Sequence, residues 1–365
     1  MFKCIYNKST WRSESYHFHF DTNSATEPSS VMKGWFVNKN SENYRLCIID
    51  QYGNPVEAMT CFKNRPRLAE LYPNIKDVTL SGFEVDMSCF SADQSYFLAV
   101  YKGNIEQFKV VSFIPKEPLL YVHIAKTAGS TVNKVVSEWF GKQRSLIHAE
   151  SKQNWKELVR QQKIDYLSGH IPYKAFMRGP ELRSYKKAIT FREPYSHVIS
   201  HLSWIRALAL EENRKRYEAH PEYIQKLSDK LASYDLAFPE QITDVIKHFE
   251  HSEHRLLDNT QTRYIRTELA KETVDETDLI AAVENLKDFD FIGTDHDISG
   301  FLGELATEYD VEYKAEDRRE NVLNNKFGLD INNPKIKDAL LPLVKYDLEL
   351  YAALVMTKAD KSSAS

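Results

Sequence analysis

Leu119-Leu120-Tyr121-Val122-His123-Ile124-Ala125-Lys126-Thr127-Ala128-Gly129-Ser130-Thr131-Val132 is the stretch whose reading decides the fold. Its apolar start predicts a strand, and Lys-Thr-Ala-Gly-Ser-Thr interrupts it. Val132, Val135, Val136 and Trp139 then fall at i, i+3, i+4 and i+7, one face of an amphipathic helix. A strand, a tight turn and a helix in succession aim unpaired backbone N–H groups and the positive end of a helix dipole at one point. Such a point binds phosphate. Lys126 adds a full positive charge, and Ser130 and Thr131 add hydroxyl donors. An ATP-type loop, G-x-x-x-x-G-K-[ST], carries its lysine after the second glycine. Here Lys126 stands three positions before the only glycine, Gly129, and no first glycine is present. An ordinary α/β domain could use the same turn structurally, so the turn alone leaves that alternative open.

Downstream, strands and helices alternate, the pattern of a parallel-sheet α/β domain. Strands are predicted at 146–148, 166–170, 187–191 and 289–294. Helices are predicted near 152–162, through much of 194–251, at 298–307 and at 335–356, with a frayed tail over 358–365. The strand Lys187–Phe191 ends in Arg192-Glu193-Pro194, and Pro194 suits the first position of a helix. Ser200 lies eight residues after Arg192, a little over two helical turns, so an arginine fork and a hydroxyl could converge on a terminal phosphate. Taken singly, Arg192 could equally be a salt-bridged strand end and Ser200 an exposed helix serine.

Upstream, residues from about 30 to 114 read as β. Short aromatic and β-branched runs at 31–37, 44–49, 77–80, 96–100 and 108–113 are separated by turn clusters such as Tyr52-Gly53-Asn54-Pro55. They predict a small antiparallel β-sandwich domain over 1–115. Pro115-Lys116-Glu117-Pro118 predicts a linker, and 116–365 then forms the α/β domain, a P-loop-type parallel sheet flanked by helices.

Composition bounds the function. The 365 residues suffice for two domains, at ~150 residues each. A net charge of -4 argues against a general nucleic-acid binder, which needs a basic surface. No apolar run reaches the ~20 residues of a membrane span, and the first residues lack the apolar core of a signal peptide, so a cytoplasmic location is expected. Cys4, Cys47, Cys61 and Cys89 match no zinc spacing and are expected to be isolated buried thiols.

The two phosphate elements together resemble those of the PAPS-dependent sulfotransferase superfamily (PAPS is 3′-phosphoadenosine 5′-phosphosulfate). The likeness covers about two thirds of the chain and lies closest to the heparan sulfate 2-O- and related carbohydrate sulfotransferases. That branch carries H-I-P-K-T-A-G-[TS] and R-[ED]-P-x-x-R-x-x-S. This chain has His123-Ile124-Ala125-Lys126-Thr127-Ala128-Gly129-Ser130-Thr131, with Ala125 for the usual proline, and Arg192-Glu193-Pro194 through Ser200, with His197 for the usual second arginine. The resemblance implies that the Lys126–Thr131 loop (Lys126, Thr127, Ala128, Gly129, Ser130, Thr131) holds the 5′-phosphate of PAPS and that Arg192 and Ser200 hold its 3′-phosphate. Lys126 would neutralise charge on the departing oxygen. His170, in Ser168-Gly169-His170, would be the base, as the uronyl 2-O-sulfotransferases place a histidine in a similar element. His123, expected inside a strand, reads as a packing residue, and His148 and His201 as weaker candidates for the base.

The implied reaction moves a sulfuryl group from PAPS to a hydroxyl, on a carbohydrate in the first instance, and leaves 3′,5′-ADP. It requires no metal, and no metal-ligand cluster is visible in the sequence. The competing readings are a P-loop nucleotide kinase using ATP and a non-catalytic glycan- or nucleotide-binding protein. Asp258-Asn259-Thr260-Gln261-Thr262-Arg263 resembles an N-x-x-T-R element of the same branch, with Arg263 either facing the acceptor or bracing the core. The basic run Arg318–Lys326 falls where relatives place a loop near the donor, and Arg214, Lys215 and Arg216 offer charge to an acidic glycan. Read simply, the last two are solvated surface. The acceptor, the role of the β domain and the oligomeric state, a homo-oligomer included, are not legible.

Overall fold

Along Tyr16-His17-Phe18-His19-Phe20, residues 16, 18 and 20 are buried and the two histidines are not, the alternation of a strand with one face on a core. That strand belongs to a computed structural model that describes residues 2–21, 31–40, 44–91, 94–161, 164–179, 182–266, 273–314 and 327–363. The chain divides into two units, Met1–Lys116 with Thr307–Glu312, and Glu117–Ala306 with Tyr313–Ser365.

Among its described residues the first unit contains eight strands: β1 (Phe2–Tyr6), β2 (Tyr16–Phe20), β3 (Val31–Asn38), β4 (Tyr44–Asp50), β5 (Met59–Lys63), β6 (Gly82–Asp86), β7 (Tyr96–Lys102) and β8 (Ile105–Pro115). They form two antiparallel sheets, ordered β1-β8-β7-β4 and β2-β3-β6-β5. One core joins them: Phe18, Phe20, Phe83 and Val85 come from one sheet, and Leu98, Val100, Val110 and Phe113 from the other. β1 and β2 lie before the region expected to be β. Asp77–Leu80, expected as a strand, is instead a left-handed Asp77 (φ 56°) followed by a single 3-10 turn. Val78 is buried there against Val37 and Leu68, so the segment covers the sheet's outer face rather than extending its edge. Pro115 is no linker residue; it ends β8 opposite Phe2, a strand end where a missing donor is tolerated. The expectation of buried thiols fails for Cys61 and Cys89, which are exposed, and all four cysteines are unpaired.

The second unit contains β9 (Leu119–Val122), β10 (Ser145–Leu146), β11 (Tyr166–Gly169), β12 (Lys186–Phe191) and β13 (Phe291–Thr294). They form one parallel sheet in the order β10-β11-β9-β12-β13. Every residue of β9 and β11 is buried, as expected of parallel strands covered on both faces. Four of the flanking helices matter below: α1 (Gly129–Phe140), α2 (Pro194–Ala207), α3 (Thr260–Ile265) and α4 (Pro334–Ser363). α4 continues well into the expected frayed tail. The long 194–251 region forms several helices, and a helical core of Val198, Leu202, Leu227, Leu231, Ile246, Leu340 and Leu343 fills the space between them. Strand order reverses beside β9, which places a crevice at the carboxyl ends of β9 and β12, where α/β sheets of this kind bind ligands. No helix among the described residues is long and apolar enough to cross a membrane.

α4 contains Pro342, whose missing N–H leaves the carbonyl one turn earlier without its intrahelical donor. On the other side of the proline, Asn259 binds the helix backbone. Its Oδ1 accepts from the N–H groups of Tyr346 (2.7 Å) and Asp347 (3.2 Å), and its own N–H donates to the Leu343 carbonyl (2.7 Å). Asp347 in turn accepts from the first-turn N–H groups of Gln261 and Thr262 in α3. Arg263 also faces inward: its guanidinium pairs with Asp258 at 2.7 Å with both side chains buried, so it braces the core. Asn259 has φ 43°, which asparagine tolerates better than a residue with no side-chain amide. Asn259→Ala should therefore lose about 2–4 kcal/mol in urea denaturation, from two lost hydrogen bonds and a strained backbone. Asn259→Gly should recover only the backbone part.

Candidate functional site

The turn from β9 into α1 is held by its carbonyls. His170 Nδ1 donates to the His123 carbonyl at 2.8 Å, and Thr127 Oγ1 to that of Ile124 at 2.9 Å. His197 Nε2 donates to Ala125 at 2.8 Å, Arg192 Nη1 to Lys126 at 3.2 Å, and Thr190 Oγ1 to Thr127 at 2.9 Å. The Ala128 carbonyl accepts from the N–H groups of Thr131 (3.1 Å) and Val132 (3.3 Å). Six consecutive carbonyls are thus engaged by β11, β12, α2 and the turn itself. Lys126 and Ala128 have φ of 69° and 65°, the alternation that turns successive N–H groups to one side as an anion-binding nest. The N–H groups of Gly129 and Ser130 open α1 and have no intrahelical partner.

Gly129 is required by a close approach. A Cβ there would lie 2.0–2.1 Å from the imidazole of His123. That ring follows β9, is buried, and has its centroid 4.1 Å from that of His170. Tyr166 Oη donates to Asn133 Oδ1 at 2.6 Å, so the Asn133 amide NH₂ faces His123 Nδ1 at 3.4 Å. This makes Nδ1 of His123 the acceptor, and its proton belongs on Nε2.

The residues singled out in the sequence are distributed as follows. Lys126 Nζ lies 5.7 Å from the centre of the Trp204 ring. Thr127 contributes its backbone only: its side chain is fully buried and stapled to Ile124 and Thr190. Ser130 is exposed and Thr131 half-buried. Arg192 is the hub between strands: its N–H donates to Gln261 Oε1 (2.8 Å), its carbonyl accepts from Gln261 Nε2 (2.9 Å), and its Nε lies 3.1 Å from Asp295 Oδ2 at the end of β13. Ser200 is buried on α2, and among the described residues no hydrogen bond joins it to Arg192. His201 is buried, with Nδ1 unpartnered among the described residues. Arg214 pairs with Glu218 on an exposed turn. The Arg318–Lys326 run lies outside the described residues.

His170 ends β11 and is half-exposed. Because Nδ1 carries the proton given to His123, Nε2 keeps a lone pair. Burial pushes the imidazole below its ordinary range, against the opposing pull of the nearby Glu150 carboxylate. Glu150 Oε2 accepts from the His170 N–H at 2.8 Å. His148, with φ 54°, sits beside Glu150. One potential ligand atom from each of His148, Glu150 and His170 lies within 4.8 Å of the other two. A cleft of about 550 Å³, lined by Ser130, Lys134, Ser137, Lys142 and His148 among others, runs along α1 from its first turn to this cluster.

Of these contacts, sequence reading missed His197, Thr190, Glu150 and Asp295. Only His197 left a trace, as a departure from an arginine in a motif. No protein-family model matches the chain, and no curated protein or solved structure matches it either.

His197 provides a pH test of the turn. It is fully buried, and this burial, with Arg192 and Lys126 nearby, lowers it from the ordinary histidine value to about 4. Between these two values the unfolded chain holds a proton that the folded chain does not. Stability is therefore complete above about pH 6.5 and falls as pH drops toward 4. His197→Gln should reduce the loss of unfolding free energy between pH 7.5 and pH 5 by about 2 kcal/mol, measured by urea melts at both pH values.

Proposed function

We propose that the second unit is a sulfotransferase that moves a sulfuryl group from PAPS to a hydroxyl, in the first instance of a carbohydrate, with a P-loop-type sheet as its frame and the first unit as an accessory β-sandwich. The observation that carries this reading is the turn 123–128. Its six carbonyls are tied back, and in this reading the N–H groups that open α1, together with the Lys126 ammonium, meet a phosphosulfate. In this reading Ser130 and Thr131 add hydroxyl donors. Arg192, fixed by Gln261 and Asp295, supplies the charge for the 3′-phosphate. Ser200 joins it only through a movement of its buried hydroxyl, which makes it the weakest member of the set.

The acceptor occupies the cleft along α1. Its hydroxyl oxygen attacks sulfur while the bond from sulfur to the bridging phosphate oxygen breaks. The electron pair of that bond leaves on 3′,5′-ADP, whose new charge Lys126 stabilises. The hydroxyl proton passes to His170 Nε2, the nitrogen left free by the hydrogen bond from Nδ1 to His123. A histidine with one nitrogen fixed in this way presents the other in a set direction, which is what general-base chemistry needs.

Thermal melts distinguish this reading from a kinase. At ~100 times its dissociation constant, 3′,5′-ADP should stabilise the chain by about 2.7 kcal/mol, while ATP with magnesium shifts the melt little. The opposite ranking would sink the proposal. His170→Ala should keep the 3′,5′-ADP shift and lose transfer of labelled sulfate to a hydroxyl acceptor by about 10²–10⁴-fold. Undiminished transfer would remove His170 from the mechanism.

A further inference from the structure

We propose that His148, Glu150 and His170 form a site for one divalent transition-metal ion of the zinc class, with His170 binding through Nε2. Two imidazoles and a carboxylate are a donor set suited to zinc and its neighbours. Potential ligand atoms of all three already lie within 4.8 Å of one another. Metal–ligand bonds of ~2.0–2.1 Å set ligand separations of roughly 3.3 Å in a tetrahedral site. The remaining approach falls chiefly to His148, which is exposed.

Four features suggest a prepared site rather than a chance meeting of surface groups. His170 donates Nδ1–H to the His123 backbone carbonyl at 2.8 Å, the arrangement that fixes the tautomer and direction of a metal-binding imidazole. Glu150 is anchored by the His170 N–H through Oε2 at 2.8 Å, and Oε1 lies 3.4 Å from His148 Nδ1. Gly169 has no side chain, and a Cβ there would meet Glu150 Oε2 at 2.8 Å, so the glycine makes room for the carboxylate. His148 itself holds a left-handed backbone, φ 54° and ψ 46°, a strain found where a residue's direction matters. Three protein ligands at the surface leave the fourth position to water or to a group in the adjoining cleft, which His148 also lines.

The site does not depend on the sulfuryl-transfer reading, but it bears on it. An ion on His170 Nε2 takes the lone pair that would accept the hydroxyl proton, so zinc is an inhibitor in that scheme and not a cofactor.

The test uses the metal alone. Titrating the metal-free full chain with Co²⁺ should produce a saturable visible absorption band at one equivalent, displaced by Zn²⁺. His148→Gln and Glu150→Gln should each weaken it by at least about tenfold, and His170→Gln should abolish it, with circular dichroism unchanged. In the unaltered chain, Zn²⁺ should also prevent modification of His148 by diethyl pyrocarbonate, read by mass spectrometry. Absence of a band at millimolar Co²⁺, a band indifferent to the three substitutions, or His148 modified equally with and without Zn²⁺ would overturn the site. Because no donor or acceptor is present, the outcome is independent of whether sulfate transfer occurs; a bound ion that leaves transfer untouched would count against His170 as base and not against the site.

Discussion

The six carbonyls of residues 123–128 are all occupied, and most of the second unit's local design follows from that. A tight turn between a buried strand and a buried helix has polar groups facing two ways, and each buried carbonyl needs a donor. Here the donors come from three separate elements: His170 after β11, Thr190 and Arg192 at the end of β12, and His197 in α2. They can reach the turn only because β11 and β12 flank β9 in register, Gly169 beside Val122 and Ile189 beside it on the other side. Sheet order thus determines turn geometry, and turn geometry determines which backbone groups are left to face a ligand.

Using histidines for two of these bonds has an electrostatic consequence. A lysine or arginine at either position would satisfy the carbonyl and add a buried cation. Neutral imidazoles satisfy it without one, and the burial that lowers His170 and His197 keeps them neutral. Among the described residues of the turn and its donors, the positive charge then rests on Lys126 and Arg192, and Arg192 is partly balanced by Asp295. His197, standing where the resembling motif carries an arginine, fits this pattern: the chain replaces a charge by a hydrogen-bond donor with its own fixed target.

The strand–turn–helix at 119–140 was legible because three signals coincided within twenty-one residues: an apolar run, a turn cluster and a 3.6-residue apolar repeat. Arg192 and His170 were legible as strand-end residues, since both follow runs rich in buried side chains. The partners of the turn were not legible, because a hydrogen bond from a side chain to a carbonyl 47, 66 or 72 residues away leaves no periodicity. In the first unit, β1 and β2 escaped notice because Phe2–Tyr6 and Tyr16–Phe20 are short, interrupted by charged and histidine residues, and acquire their strand character only by pairing with β8 and β3.

The docking of Asn259 on α4 ties together parts of the chain that are far apart in sequence. The N–H groups of Tyr346 and Asp347 find a side-chain acceptor 87 and 88 residues upstream, and Asp347 in turn accepts from the first turn of α3. The middle of one helix and the start of the other thus hold each other. Contacts of such long sequence separation carry a loop-closure cost before they return any stability, so what they add to α4 is stability that the same helix, cut out as a peptide, would lack.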